Sequence, residues 1–123
     1  MNASSLHRLA CVGLAFIASA FLKAEEPLTI AGVHGGLVVQ VGATKTDFAA
    51  RLSRTGRYLV HVLDVDPAVA EKARKSLRGD GIYGLAFAEA LVDAGHLPYA
   101  ENVVNAVVLH STVKVSLSEA FRI

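Results

Sequence analysis

Short apolar runs alternate with amphipathic segments along residues 37–123. The runs are rich in β-branched residues, which is typical of strands that are buried on both faces of a parallel sheet. The amphipathic segments repeat apolar residues three or four positions apart, as on one face of a helix. The pattern predicts four strands, at residues 37–41, 58–63, 83–88 and 103–109, with helices after the first, second and fourth.

Polar residues with helix-capping character mark the predicted starts of these helices. An oxygen-bearing side chain before a helix accepts a hydrogen bond from its free amides, and proline fits the first helical position. Glycines at 56, 79 and 81 indicate where the first two helices end. The capping signals are Thr44 with Asp47, Asp66 with Pro67, and Ser116 with Glu119.

Strand and helix follow one another at the spacing of βαβ units. This order predicts the α/β class, with a mostly parallel sheet, right-handed crossovers and flanking helices. A 53% hydrophobic and 19% charged composition is that of a folded domain, and it excludes a low-complexity disordered chain. The formal net charge of +1 gives no electrostatic case for nucleic-acid binding.

The first 24 residues have the layout of a secretory signal peptide. Arg8 precedes an apolar run at 9–22, and Ala18-Ser19-Ala20 has the small-residue form of a cleavage site, with Ala24 as a second candidate. The run is shorter than the roughly 20 residues of a spanning helix. We therefore predict an exported protein, periplasmic or secreted, with no membrane attachment after cleavage; the alternative is an uncleaved membrane anchor.

Candidate chemistry lies where the predicted strands end, since ligands of open α/β sheets bind beyond the carboxyl ends of the strands. Gly42 follows the first strand and would let a ligand approach the backbone. Asp64 closes the second strand about 20 residues later, where an acid accepts hydrogen bonds from ribose hydroxyls. Asp93 follows the third strand and could accept from an adenine amino group. The histidines have no metal-ligand spacing.

These segments resemble class I S-adenosylmethionine-dependent methyltransferases. The similar parts, in order, are Val38-Val39-Gln40-Val41-Gly42, Val62-Leu63-Asp64-Val65-Asp66-Pro67, Asp93-Ala94-Gly95-His96-Leu97-Pro98-Tyr99 and Val104-Asn105-Ala106-Val107-Val108. The resemblance covers residues 30–123 and implies a Rossmann-like domain at 25–123, incomplete at about four strands. It implies S-adenosylmethionine as cofactor, bound by Gly42, Asp64, Val65, Asp93 and Ala94; it identifies no catalytic residue and no methyl acceptor.

The chain departs from that family where the cofactor would bind. Gln40 stands where the family usually has an acid, Thr44 and Thr46 stand where it usually has glycines, and Asn105 replaces an Asp. Threonine disfavours positive φ and crowds a cofactor-binding loop. The departures predict that S-adenosylhomocysteine binds weakly or not at all.

The sequence leaves three candidate functions. The first is a methyltransferase-like domain that binds S-adenosylmethionine. The second is a non-catalytic exported module that keeps the fold, as the N-terminal part of a larger protein with a further domain downstream. The third is a nicotinamide-dependent oxidoreductase domain, which the loop at Asp93 and the absence of a Gly-x-Gly-x-x-Gly motif disfavour.

Overall fold

The computed structural model of the chain describes residues 32–110 and 113–123. The predicted signal peptide at residues 1–24 lies outside the described residues. The described part contains four strands and three helices. In chain order they are β1 (Gly36–Val41), α1 (Asp47–Arg54), β2 (Tyr58–Asp64), α2 (Pro67–Gly79), β3 (Ala86–Ala90), β4 (Ala106–Leu109) and α3 (Leu117–Arg122).

The four strands form one parallel sheet in the order β3-β2-β1-β4. β1 pairs with β2 on one side, from Gly36 with Tyr58 to Val41 with Leu63, and with β4 on the other. The strand order therefore reverses between β1 and β4. In an open α/β sheet the carboxyl ends of such a pair form the switch point where ligands bind.

Apolar residues cover both faces of the sheet, as the continuous apolar runs predict. One face includes Val38 and Val60 and packs against α1 and α2, whose Leu77 is fully buried against it. The opposite face includes Val39, Val41 and Leu63 and is covered by the segment after β3 and the end of the chain. Within the described residues, no helix is long and apolar enough to cross a membrane.

The start of α2 is as the sequence predicts. Asp66 is the N-cap, its Oδ1 accepts from the Ala68 amide at 2.9 Å, and Pro67 is the first helical residue. Ser116 likewise caps α3, since its hydroxyl oxygen accepts from the Glu119 amide at 3.2 Å.

The prediction that Thr44 caps the first helix is wrong. α1 begins at Asp47, and its N-cap is Thr46, whose side chain makes no capping hydrogen bond. The Thr46 hydroxyl instead lies 3.3 Å from that of Ser76. Residues 42–45 stay outside the helix because the Gln40 amide nitrogen donates to the carbonyls of Gly42 and Lys45, each at 2.9 Å.

The predicted bounds of the third strand are also wrong. β3 begins at Ala86 rather than residue 83 and continues to Ala90. Gly84 adopts a φ of +111°, and the amides of Leu85 and Ala86 both donate to the Ile82 carbonyl at 3.0 Å. These two bonds close a turn where the prediction has a strand.

The fourth strand is shorter than predicted. It begins at Ala106, because the amides of Val103 and Val104 donate to the Ile123 carbonyl at 2.6 and 2.7 Å. These amides are thus used by the chain end instead of by a neighbouring strand. Val104 still packs in the core on the second face of the sheet.

Candidate functional site

Asp64 is the last residue of β2 and is almost enclosed, with 6% of its surface exposed. Its Oδ2 accepts from the Ala43 amide at 2.8 Å, and its Oδ1 accepts from the Asp66 amide at 2.9 Å. The carboxylate therefore joins the end of β2 to the loop after β1. Each of its oxygens can still accept one further hydrogen bond.

Gln40 organises the loop between β1 and α1 from beneath. It is fully buried, and both donors of its amide are used by the Gly42 and Lys45 carbonyls. Its carbonyl oxygen, Oε1, is buried and has no hydrogen-bond partner among the described residues. An ionised carboxylate at this position could not make the two donations, so the loop depends on an amide here.

The loop accommodates its threonines without strain. Gly42 has a φ of +107°. Among the described non-glycine residues, positive φ occurs at Asn102, which lies outside this loop. Thr44 and Thr46 therefore occupy ordinary backbone conformations. The disfavour of threonine for positive φ therefore imposes no cost in this loop, while the predicted crowding of a cofactor stays a prediction.

His110 covers Gly42 at the switch point. The His110 amide donates to the Val41 carbonyl at 3.0 Å, which sets the two residues side by side. A Cβ built on Gly42 would lie 2.8 Å from the His110 Cβ and 3.2 Å from two of its ring carbons. His110 Nε2 is buried, and no described residue forms a hydrogen bond with it. Sequence reasoning missed this contact, since it depends on the pairing of β1 with β4.

Asp93 borders a separate open cavity beyond β2 and β3. Its Oδ1 accepts from the Gly95 amide at 2.7 Å, which forms a local turn, and no described residue donates to its Oδ2. The cavity has a volume of about 340 Å³ and combines apolar walls with carboxylate and imidazole groups. Its lining residues include Leu63, Leu91, Pro98, Glu89, Asp93 and His96.

The predicted cofactor residues thus lie at one edge of the sheet but not in one cavity. Gly42 and Asp64 are linked through Ala43, while Asp93 borders the cavity and Asp64 does not. Leu63 belongs to that cavity, and the Leu91 amide donates to the Asp64 carbonyl at 2.7 Å, so the two parts are adjacent. Val65 is 49% exposed at the same edge, and Ala94 packs against the core beside Leu91.

A histidine of β2 connects the loop after β3 to this cavity. His61 is 6% exposed; its Nε2 lies 3.2 Å from Glu89 Oε2, and its Nδ1 contacts the Tyr99 hydroxyl. Burial lowers the pKa of His61, although Glu89 opposes this effect. The carboxylate only accepts, so the neutral ring carries its proton on Nε2, and Nδ1 accepts from the hydroxyl.

The C-terminal helix fixes the loop that carries Tyr99. Glu119 Oε1 accepts from the Leu97 amide at 2.7 Å, while Arg122 donates to the carbonyls of Leu97 and Tyr99. The two side chains also bond each other, with Arg122 Nη2 2.6 Å from Glu119 Oε1. These bonds, above all that from Arg122, lower the pKa of Glu119 to about 2. At neutral pH the ion pair therefore holds residues 97–99, whose Pro98 lines the cavity.

The carboxyl edge of the sheet offers hydrogen-bond acceptors. Among the residues that the structure describes, no group of three or more His, Cys, Asp or Glu side chains could hold a metal ion. The carboxylates at this edge include Asp64, with its amide partners, and Asp93 and Glu89, which line an apolar-walled cavity. This arrangement suits polar contacts to a ribose and to the amino group of a planar base.

Comparison with known proteins supports the fold. No protein-family model and no curated protein matches this chain. A solved structure from Methanococcus maripaludis, a candidate S-adenosyl-L-methionine-dependent methyltransferase, is similar with a TM-score of 0.62 and 17% sequence identity. The match covers 74% of this chain but 42% of that one, so the chain spans less than half the length of this neighbour.

The α/β Rossmann-like fold predicted from the sequence is therefore confirmed. The parallel sheet with flanking helices corresponds to the fold of that methyltransferase neighbour. At this level of identity the similarity concerns the fold alone.

Proposed function

We propose that this protein is a domain of the methyltransferase fold that binds S-adenosylmethionine or its product, S-adenosylhomocysteine, at the carboxyl edge of its sheet. The observation that carries the proposal is the position of Asp64 at the end of β2, joined to the Gly42–Ala43 turn. In this fold an acid at that point accepts from ribose hydroxyls. The methyl acceptor stays unspecified.

The nucleoside side of the site fits such a ligand. Both Asp64 oxygens retain an acceptor position, and Asp93 Oδ2 has no donor among the described residues. The apolar walls of the adjacent cavity would cover the faces of an adenine ring. In this arrangement Asp64 and Val65 would contact the ribose side, and Asp93 and Ala94 the base.

The fit is poorer at Gly42, which supports weak binding. The His110 side chain occupies the space against Gly42, so a ligand cannot approach this backbone while the ring stays there. The loop is also closed by hydrogen bonds from Gln40 and to Asp64. These contacts within the chain are what favour the second candidate function, a non-catalytic module that keeps the fold.

Titration of the full chain with S-adenosylhomocysteine, followed by amide NMR, tests the proposal, because NMR detects weak binding and locates it. We expect shifts at Val65, Ala94 and the Gly42 turn. Asp64→Asn and Asp93→Asn should each weaken binding by about tenfold, equivalent to one charge-assisted hydrogen bond. Asp80→Asn is the matched control, since Asp80 is an exposed carboxylate at the far end of α2.

The outcomes separate the candidate functions. Shifts confined to this edge and reduced in the Asp64 and Asp93 variants would support the nucleoside site. No shifts at millimolar ligand would leave the non-catalytic module as the better account. Binding of NAD with higher affinity than S-adenosylhomocysteine would instead support an oxidoreductase domain. Because Asp64 also accepts two backbone bonds, a thermal melt of each variant accompanies its titration.

A further inference from the structure

We propose that His110 determines access to the switch point, and that a ligand reaches Gly42 only after the imidazole has moved away. This inference rests on the proposed function and adds a specificity-determining residue to the same site. His110 comes directly after β4, whereas Asp64 is the last residue of β2 and Asp93 follows β3.

The first argument is steric. A Cβ on Gly42 would lie 3.2 Å from the Cγ and Cδ2 ring carbons of His110, which is tighter than most real contacts, and 2.8 Å from its Cβ, which movement of the ring leaves in place. The His110 side chain thus already fills the space that a side chain at Gly42 would occupy. A ligand that needs the bare Gly42 backbone competes with that side chain for the same space.

The second argument concerns unpaired polar atoms. Among the described residues, His110 Nε2 and Gln40 Oε1 are buried side-chain atoms without hydrogen-bond partners. They belong to residues at the carboxyl ends of the two strands that meet at the switch point. A buried polar atom without a partner is destabilising relative to a paired or solvated one. Within residues 32–110 and 113–123, packing and backbone pairing therefore hold His110 in place, and no bond from its Nε2 opposes rotation of the ring.

If the ligand binds only molecules whose His110 ring has moved away, the apparent affinity is the intrinsic affinity multiplied by the fraction of molecules in that open arrangement. Removal of the ring should remove this penalty, whereas a side chain that fills the space without a polar atom should increase it. The proposal thus predicts a rank order of affinities, with His110→Ala highest, the natural protein in between and His110→Leu lowest. If His110 instead contacted the ligand directly, both variants would bind more weakly.

Amide NMR titration of the three full-length proteins with S-adenosylhomocysteine tests this order. We expect His110→Ala to bind at least about fivefold more tightly than the natural protein, and His110→Leu to bind more weakly. A thermal melt of each protein shows whether it is folded. Because His110→Leu removes the buried unpaired nitrogen, we expect its melting temperature to equal or exceed that of the natural protein.

Each result bears on the proposal. Equal affinities in all three folded proteins would overturn the role of His110 and leave the nucleoside site intact. Weaker binding by His110→Ala would show a direct contact and overturn the proposal in the same way. No binding by any of them, including the variant without the ring, would overturn both His110 access and the proposed function. If His110→Ala fails to fold, His110→Ser takes its place, because it also removes the ring; tighter binding than the natural protein then supports the proposal, and equal or weaker binding overturns it.

Discussion

Replacement of Gln40 by glutamate should destabilise the fold strongly, although the two side chains have nearly the same shape. Gln40 is fully buried, and its amide nitrogen donates to the carbonyls of Gly42 and Lys45. Glutamate supplies no hydrogen for either bond when ionised. The substitution would also restore an acid at a position where class I methyltransferases usually have one.

The magnitude follows from the two bonds that are lost. Each carbonyl left without its donor is destabilising by about 1–3 kcal/mol when buried, which suggests about 3 kcal/mol for the pair. Ionisation of a buried carboxylate adds a desolvation term, so about 4 kcal/mol is a reasonable total near neutral pH. A domain of this size has a total stability of about 5–10 kcal/mol, so the variant should be close to unfolding.

Urea denaturation followed by far-ultraviolet circular dichroism is the suitable assay, since the chain contains no tryptophan. Gln40→Met is the matched variant, because it removes the two donors without adding a charge. Burial raises the folded pKa of a glutamate above its unfolded value of about 4.3, so the destabilisation due to charge appears as the pH rises above that value. The two variants should therefore differ at pH 7 and converge towards pH 4.

Two results would contradict this account. A loss of less than about 1 kcal/mol in both variants would show that Gln40 does not hold the loop. Equal stability of the glutamate and methionine variants at neutral pH would show that water reaches the side chain, contrary to its complete burial.

Two further predictions concern the Gly42 contact and the C-terminal ion pair. Gly42→Ala should lower the free energy of unfolding by about 2 kcal/mol or more, because of its φ of +107° and the close His110 Cβ. His110→Ala keeps the Cβ but removes the two ring carbons that would lie 3.2 Å from the new methyl group, so urea titration should show that it recovers part of this loss in the double variant; additive effects would argue against the ring contact. Glu119→Gln should be less stable than the natural protein at neutral pH, because the Arg122 contact favours the ionised carboxylate and lowers its pKa to about 2. In thermal melts this difference should shrink as the pH falls from about 4.5 towards 2, whereas a constant difference would contradict the assignment.

The fold could be predicted from local patterns because burial and backbone chemistry act locally along this chain. Val38 and Val60 lie in continuous apolar runs, and the capping geometry of Asp66 before Pro67 needs only neighbouring residues. Two of the errors fall where a distant partner overrides local preference. Asp64 holds the Ala43 amide of the loop with Thr44, and the amides of Val103 and Val104 donate to the carbonyl of Ile123.

In the candidate site, the positions at strand ends could be predicted from the sequence, whereas the contacts between distant residues could not. The positions of Gly42 and Asp64 at strand ends follow from the order of elements, so a sequence reading can place them at one edge. The contacts of His110 with Gly42 and of His61 with Tyr99 and Glu89 depend on which strands and loops become neighbours. Nothing in the spacing of these histidines indicates their partners.

The loop after β1 keeps its shape through groups of the chain itself. The Gln40 amide holds two of its carbonyls, and Asp64 holds the Ala43 amide. These contacts explain how the loop carries Thr44 and Thr46, since its conformation does not need positive φ at either one. The two threonines therefore do not by themselves argue against the proposed nucleoside contacts. Any loss of binding should instead be sought at the switch point, where the His110 side chain already occupies the space beside Gly42.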